Sequence, residues 1–264
     1  MKTAIIGFGK MGKLYDSLMP TSYIVDIYPT GNRPYFTYVE EFIHYHPTVD
    51  LVIVATPINT HFSIVKKLLE ANYNVLCEKP LCTKFNEARI LEKLAEEHRC
   101  ILCQSTLERY NPTIKFVKKN IKASDVHHVE SYRFGLPPLS SNNPMYDLGI
   151  HDIDLSFYLF KQQVTWEVNA GYSNPRREII MYLKNGKTLK LDLLNKFIIS
   201  DNTLLNIGQY SIGNPILEML ADLEFQKTAM NDKWSDEIKY LTQENNGQVT
   251  IYNNPNYLFN EING

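Results

Sequence analysis

The chain has 264 residues, a net charge of −2, 44% hydrophobic and 21% charged residues. This is enough for one large or two ordinary globular domains with a full core, and the charge gives no reason to expect nucleic acid or an anionic membrane as partner. No window approaches the ~20 apolar residues of a membrane span, and the apolar N-terminal stretch is too short for a signal peptide.

Residues 3–6 read as a short apolar strand that runs into Gly7-Phe8-Gly9-Lys10-Met11-Gly12. This is the G-x-G-x-x-G pattern of a dinucleotide-binding βαβ unit. Gly7 suits the tight turn, Gly9 a close approach of backbone to a pyrophosphate, and Gly12 close packing of the following helix on the strand. That helix would turn its free N–H groups and positive dipole end toward the phosphates. A second strand, 22–25, ends at Asp26, the place of the acid that grips the adenosine ribose. Ile27 and Tyr28 follow it, so no adjacent cation offsets the repulsion of a 2′-phosphate. This favours NAD over NADP, with Arg33 the nearest cation in the sequence on the other side of the argument.

The alternation continues. Residues 39–44 suit a short helix, and 50–55 (DLVIVA) form the β-branched run of a strand covered on both faces, ending at Thr56-Pro57. Residues 60–72 have helical periodicity, 74–77 read as a strand ending at Glu78-Lys79-Pro80, 83–98 as an amphipathic helix and 100–104 as a strand. Consecutive βα units of this kind imply a parallel sheet with right-handed crossovers. Cys100 and Cys103 have C-x-x-C spacing, but on a strand residues three apart face opposite sides, so no metal site is expected there. Four free thiols suit a reducing cytoplasm.

The rhythm changes near residue 123. Strands are expected at 126–134, 164–172, 178–183 and 188–194, helices at 144–160 and 214–230, and a hairpin turn at Asn185-Gly186. The Asn-rich remainder to Gly264 has no clear pattern. The fold class is therefore α/β: an N-terminal Rossmann doubly wound parallel sheet over 1–122 and a C-terminal α+β domain with a mostly antiparallel open sheet over 123–264.

Three constellations carry possible chemistry. Lys79 stands at the carboxyl end of a parallel strand, aimed by the proline after it, where an ammonium can stabilise negative charge on a substrate oxygen; a lone lysine there is otherwise an ordinary solvent-facing residue. In Asp147-Leu148-Gly149-Ile150-His151-Asp152-Ile153-Asp154, a helix would place Asp147, His151 and Asp154 in one stripe, with Asp152 elsewhere, structural or facing solvent. A carboxylate beside an imidazole orients it and raises its basicity, which suits removal of an alcohol proton; the same stripe also reads as a salt-bridged helix surface. In Glu108-Arg109-Tyr110-Asn111-Pro112, Arg109 could hold the surroundings of Lys79 or a substrate oxygen, but the plainer reading is an ordinary helix-start residue.

With GFGKMG at 7–12, VIVATPINTH at 52–61, CEKP at 77–80, ERYNP at 108–112 and DLGIHDID at 147–154, the chain resembles the glucose–fructose oxidoreductase / inositol dehydrogenase / rhizopine-catabolism (Gfo/Idh/MocA) dehydrogenases. The resemblance is close over most of 1–160 and loose beyond, and the second domain looks shortened after Lys196. It implies hydride transfer between a nicotinamide cofactor and a secondary alcohol or ketone of a sugar, polyol or sugar nucleotide. It implies Lys79 on the reacting oxygen, His151 as general acid/base and Asp147 as its acidic partner, with Asp154 supporting. It places Gly7, Phe8, Gly9, Lys10, Met11, Gly12, Asp26, Thr56, Pro57, Asn59, His61 and Glu78 around NAD, Glu78 beside the nicotinamide ribose. It also implies a homodimer or homotetramer through the C-terminal sheet. The competing readings are a catalytically silent NAD(H)-binding sensor or scaffold, a reductase of another small carbonyl or imine, and a glycosidase that uses NAD within its mechanism.

Overall fold

The computed structural model describes residues 1–19, 21–28, 34–137, 143–161, 163–210, 213–225, 234 and 247–251. The chain divides into two compact units, Met1–Ser105 with Met219–Lys239, and Thr106–Glu218 with Tyr240–Gly264. The first division comes 17 residues before the expected one at 122/123 (122 − 105), because the helix Pro112–Asn120 belongs with the second unit.

The first unit runs β1 (Thr3–Ile6), α1 (Lys10–Leu18), β2 (Thr21–Val25), β3 (Tyr35–Phe36), α2 (Val39–Tyr45), β4 (Leu51–Val54), α3 (Ile58–Glu70), β5 (Val75–Cys77), α4 (Phe85–His98) and β6 (Leu102–Gln104). All six strands are parallel, in the order β3-β2-β1-β4-β5-β6. This is the dinucleotide-binding order, with its switch point between β1 and β4. β1, β4, β5 and β6 are buried at every residue, as strands covered on both faces require. Cys100 lies ahead of β6, so only Cys103 of the C-x-x-C pair is on the strand; both are free thiols.

The second unit contains α5 (Pro112–Asn120), β7 (Val126–Gly135), α6 (Ile150–Phe160), β8 (Thr165–Tyr172), β9 (Arg176–Leu183), β10 (Thr188–Asp192), β11 (Phe197–Ser200), β12 (Thr203–Leu204), the start of α7 (Pro215–Phe225) and β13 (Gln248–Ile251). Its seven-stranded sheet has the order β12-β11-β10-β9-β7-β8-β13 and is antiparallel except for β7 and β8. Three of its strands, β11, β12 and β13, lie in the stretch after Lys196 that looked depleted. Asn185-Gly186 closes the β9–β10 hairpin as expected. Residues 226–230 of the expected last helix lie outside the described residues.

Period-2 alternation buries Val129, Ser131 and Arg133 on one face of β7, beside Trp166, Val168 and Ala170 of β8 and Ile179 and Met181 of β9. Arg133 is 1% exposed in this row, so its charge must be met inside. Its Nε and Nη2 donate to Asp152 Oδ2 and Oδ1 at 3.1 and 2.7 Å, and its Nη1 to Glu108 Oε1 at 2.9 Å. Arg177 also donates to Glu108. Asp152 is therefore neither surface-facing nor idle. Burial opposes ionisation of both acids: at Glu108 the two guanidiniums outweigh it and hold the carboxyl below its ordinary range, whereas at Asp152 burial prevails and the carboxyl lies above. Arg109, read from sequence as unremarkable, clamps Asp154 through Nε and Nη2.

Removing one partner of such a buried pair leaves an uncompensated charge. Arg133→Met is expected to lower unfolding free energy by about 3–5 kcal/mol in a denaturant titration; a loss below about 1 kcal/mol would show that the cluster is not structural.

Candidate functional site

β1 ends at Gly7, where φ is +90° and an added Cβ would stand 2.6 Å from the Ala55 carbonyl oxygen at the end of β4. Backbone conformation and neighbour both bar a side chain. The Gly7 N–H donates to the Val25 carbonyl and the Ala55 N–H to the Ile6 carbonyl, tying the turn to the strands on either side. At Gly12 a Cβ would lie 2.1 Å from the Gly7 carbonyl oxygen, so α1 can pass this close only with no side chain there. Gly9 is different. It is exposed, its φ of −74° suits any residue, and a Cβ there meets nothing within 4 Å. Its bareness serves no packing; it leaves open the approach to the first turn of α1. That turn, with Lys10 and Met11, has no side-chain cap and no acid, so its N–H groups and positive end are available to an anion. These features fit a dinucleotide pyrophosphate.

Asp26 follows β2. Its Oδ2 accepts from the Phe8 N–H at 2.6 Å and its Oδ1 from the Tyr28 N–H at 2.8 Å. The carboxylate is thus fixed beside the glycine turn, with acceptor capacity left for ribose hydroxyls. Arg33 lies outside the described residues.

Beyond β4, Thr56 is half-buried and Pro57 and Asn59 are exposed. The Thr60 hydroxyl donates at 2.7 Å to Thr56 Oγ1 or to the Pro57 carbonyl. His61 is 1% exposed, with Nδ1 2.9 Å from the Pro80 carbonyl oxygen and Nε2 2.8 Å from that of Thr56. Its ring braces backbone. Beyond β5, Glu78 is buried and Lys79 half-buried, and the Lys79–Pro80 peptide is cis. Glu78 Oε1 accepts from the Tyr15 hydroxyl at 2.7 Å, and that hydroxyl is 3.1 Å from Ser105 Oγ. Burial, and then the Glu78 charge, push the Tyr15 phenol well above its ordinary range, so it keeps its proton for Glu78. Gly7, Phe8, Gly9, Lys10, Met11, Gly12, Asp26, Thr56, Glu78 and Lys79 all follow strands at one edge of the sheet. Tyr15 was not legible as part of this edge, because an aromatic three residues after Gly12 on a helix reads simply as core.

In the second unit the expected helix over 144–160 is interrupted. Met145–Gly149 is a π-helical turn, and α6 begins only at Ile150. Asp147 lies in this wider turn and His151 just beyond it, and such turns recur at functional sites. Both side chains are half-buried, whereas Asp154, one turn beyond His151 on α6, is buried against Arg109. Tyr172, at the end of β8, is raised above its ordinary range by burial and by the charge of Asp147.

Among the described residues no group of three or more His, Cys, Asp or Glu side chains is placed to hold a metal ion, and no helix is long and apolar enough to cross a membrane.

The fold and the edge of its first sheet define a dinucleotide-binding protein of the Rossmann class with a second, sheet-based unit. Residues 29–106 match the model of GFO_IDH_MocA, described as an oxidoreductase family with NAD-binding Rossmann fold. An uncharacterized oxidoreductase of Schizosaccharomyces pombe is 31% identical over 152 residues, 52% of this chain and 41% of that protein. The scyllo-inositol 2-dehydrogenase (NAD(+)) of Bacillus subtilis is 27% identical over 128 residues, 45% of this chain and 37% of that protein. The relatives include an enzyme named for NADP(+) as well. Among solved structures, the UDP-N-acetylglucosamine 3-dehydrogenase of Acidithiobacillus ferrooxidans superposes with a TM-score of 0.75 at 17% identity, covering 92% of this chain and 96% of that one. The chain spans less than half the length of the first two curated relatives named here.

The glycine geometry gives a sharp contrast. Gly9→Ala is expected to change stability by less than about 1 kcal/mol yet weaken NADH binding at least about tenfold, read by nicotinamide fluorescence. Gly12→Ala is expected to destabilise the fold itself by about 2 kcal/mol or more, because backbone oxygen must move.

Proposed function

We propose that this protein is a nicotinamide-dependent oxidoreductase acting on a secondary alcohol or the matching ketone of a sugar, polyol or sugar nucleotide. The observation that carries the reading is the clustering of the open Gly9 approach, the anchored Asp26 carboxylate and the Glu78-Lys79-Pro80 turn along one edge of the first sheet. Relatives named as inositol and sugar-nucleotide dehydrogenases support the substrate class.

The cofactor, when bound, supplies the acceptor or donor of hydride. Gly7 to Gly12 hold its pyrophosphate, Asp26 its adenosine ribose, Thr56, Pro57 and Asn59 line it, and Glu78 stands beside the nicotinamide ribose. Lys79 donates from its ammonium to the reacting oxygen and stabilises the negative charge that develops there. The His151 imidazole takes the hydroxyl proton in oxidation and returns it in reduction, and Asp147 stabilises the imidazolium. The roles of Lys79, Asp147 and His151 rest on the motif resemblance, and the side chains' half-buried state is compatible with them. NAD is the preferred cofactor in this reading, since a carboxylate pinned by the Phe8 and Tyr28 N–H groups cannot swing away from a 2′-phosphate. Buried free thiols at Cys77, Cys82 and Cys103 support a reducing, cytoplasmic setting. The broad second sheet supports a homo-oligomer.

The test is nicotinamide absorbance with a pooled panel of inositols, sugars and sugar nucleotides and their keto forms. Turnover is expected, and Lys79→Ala and His151→Ala are each expected to lose about 10²–10⁴-fold while still binding NADH. Tight NADH binding with no turnover across the panel would favour a sensor and overturn the reading. For the cofactor, wild type is expected to bind NADH at least about tenfold more tightly than NADPH, and Asp26→Asn to narrow that gap; an unchanged ratio would sink the ribose assignment.

A further inference from the structure

Lys79 stands between two residues whose polar groups are each held by a side chain from another element. On one flank Glu78 Oε1 accepts from the Tyr15 hydroxyl of α1 at 2.7 Å, and Ser105 Oγ lies 3.1 Å from the same hydroxyl. On the other flank the Pro80 carbonyl oxygen lies 2.9 Å from Nδ1 of His61 on α3, whose Nε2 reaches the Thr56 carbonyl oxygen at 2.8 Å. Tyr15 is 0% and His61 1% exposed, so neither ring is presented to a ligand. The residue after Pro80 is tied as well: the Leu81 N–H donates to Gln104 Oε1 at 2.7 Å.

We propose that Tyr15 and His61 are positioning residues for Lys79, holding the Glu78-Lys79-Pro80 turn from both sides. A lysine has a flexible four-carbon stem, and a mobile backbone beneath it would add to its spread of positions. Charge stabilisation at a reacting oxygen tolerates little displacement; an error of about 1 Å costs about 10²-fold. Fixing the residues before and after Lys79 by groups with no freedom of their own confines the ammonium to one region. The Pro80 and Thr56 carbonyl oxygens only accept, so a neutral His61 ring donates to one of them and the imidazolium to both; in either form the buried ring stands wedged between the turn after β5 and the loop after β4. This role for His61 replaces direct cofactor contact. The proposal rests on the reading of Lys79 as the group on the reacting oxygen.

The experiment is hydrogen–deuterium exchange by mass spectrometry on the whole protein without ligand, for wild type, Tyr15→Phe, His61→Phe and His61→Gln. In Tyr15→Phe and His61→Phe, exchange of the peptide over residues 76–84 is expected to quicken about three- to tenfold, the scale of one net hydrogen bond, with the peptide over 126–135 unchanged. His61→Gln retains one amide donor and is expected to fall between. NADH affinity is expected to shift less than about threefold while kcat falls about tenfold or more at little changed KM. Exchange over 76–84 equal to wild type in Tyr15→Phe and His61→Gln, or faster exchange spread equally over both peptides, would overturn the proposal. If the turn loosens in these variants while Lys79→Ala keeps wild-type turnover, the brace stands and the role of Lys79 falls. Tyr15→Phe removes one oxygen atom and keeps the buried ring, so the test holds even if His61→Phe fails to fold.

Discussion

The turn after β1 has no room for a side chain, and the rest of the first unit follows from that. Gly7 sits in a left-handed conformation against the end of β4, with its N–H on β2 and the next loop's N–H on β1. With the chain turned this tightly, α1 must pass directly over β1, which requires Gly12. The start of the helix then points its uncapped N–H groups at the crevice where strand order reverses. The same turn directs the Phe8 N–H at Asp26, and one further turn of α1 brings Tyr15 to Glu78. The Asp26 side and the Lys79 side of the edge are thereby linked through a single short helix.

The second unit is organised around a different constraint, the cost of a buried guanidinium. Arg133 lies in a row of otherwise small or apolar side chains and calls for two carboxylates, Asp152 from α6 and Glu108 from the 3₁₀ turn at Leu107–Tyr110. Asp154, two residues on and so on a different side of α6, is clamped by Arg109 from that same 3₁₀ turn. The helix is anchored on two sides, with His151 immediately before the first anchor. Replacing such pairs by apolar residues is often tolerated in proteins; here they fix the rotation of the element on which the half-buried histidine sits.

Much of the fold was legible because the periodicities are strong. β-branched runs bounded by glycine or proline marked β1, β4 and β5, and alternation marked β7 to β10. The strands β11, β12 and β13 were not, since they are only two to four residues long; β11 and β12 join the sheet through local hairpins, and β13 pairs with β8 from far along the chain. The π-helical turn was also hidden: nothing in the residue types of Met145–Gly149 distinguishes five residues of wide winding from a regular helix. The sequence left Asp152 as structural or solvent-facing, and its buried bond to Arg133 decides for the structural role.

By itself the sequence determined the dinucleotide edge, because glycines at fixed spacing, an acid after the next strand and a lysine before proline are local requirements of backbone shape and charge. It marked Asp26 as an acid directly after the second strand, and Lys79 as a cation at a strand end. Tertiary structure alone decided what those groups lean on. The Tyr15 hydroxyl meets Glu78 63 residues away, His61 bridges two loops, and Arg133 finds Asp152. A buried polar atom must be satisfied by whatever donor or acceptor the packing brings beside it, and no local pattern records which one that is.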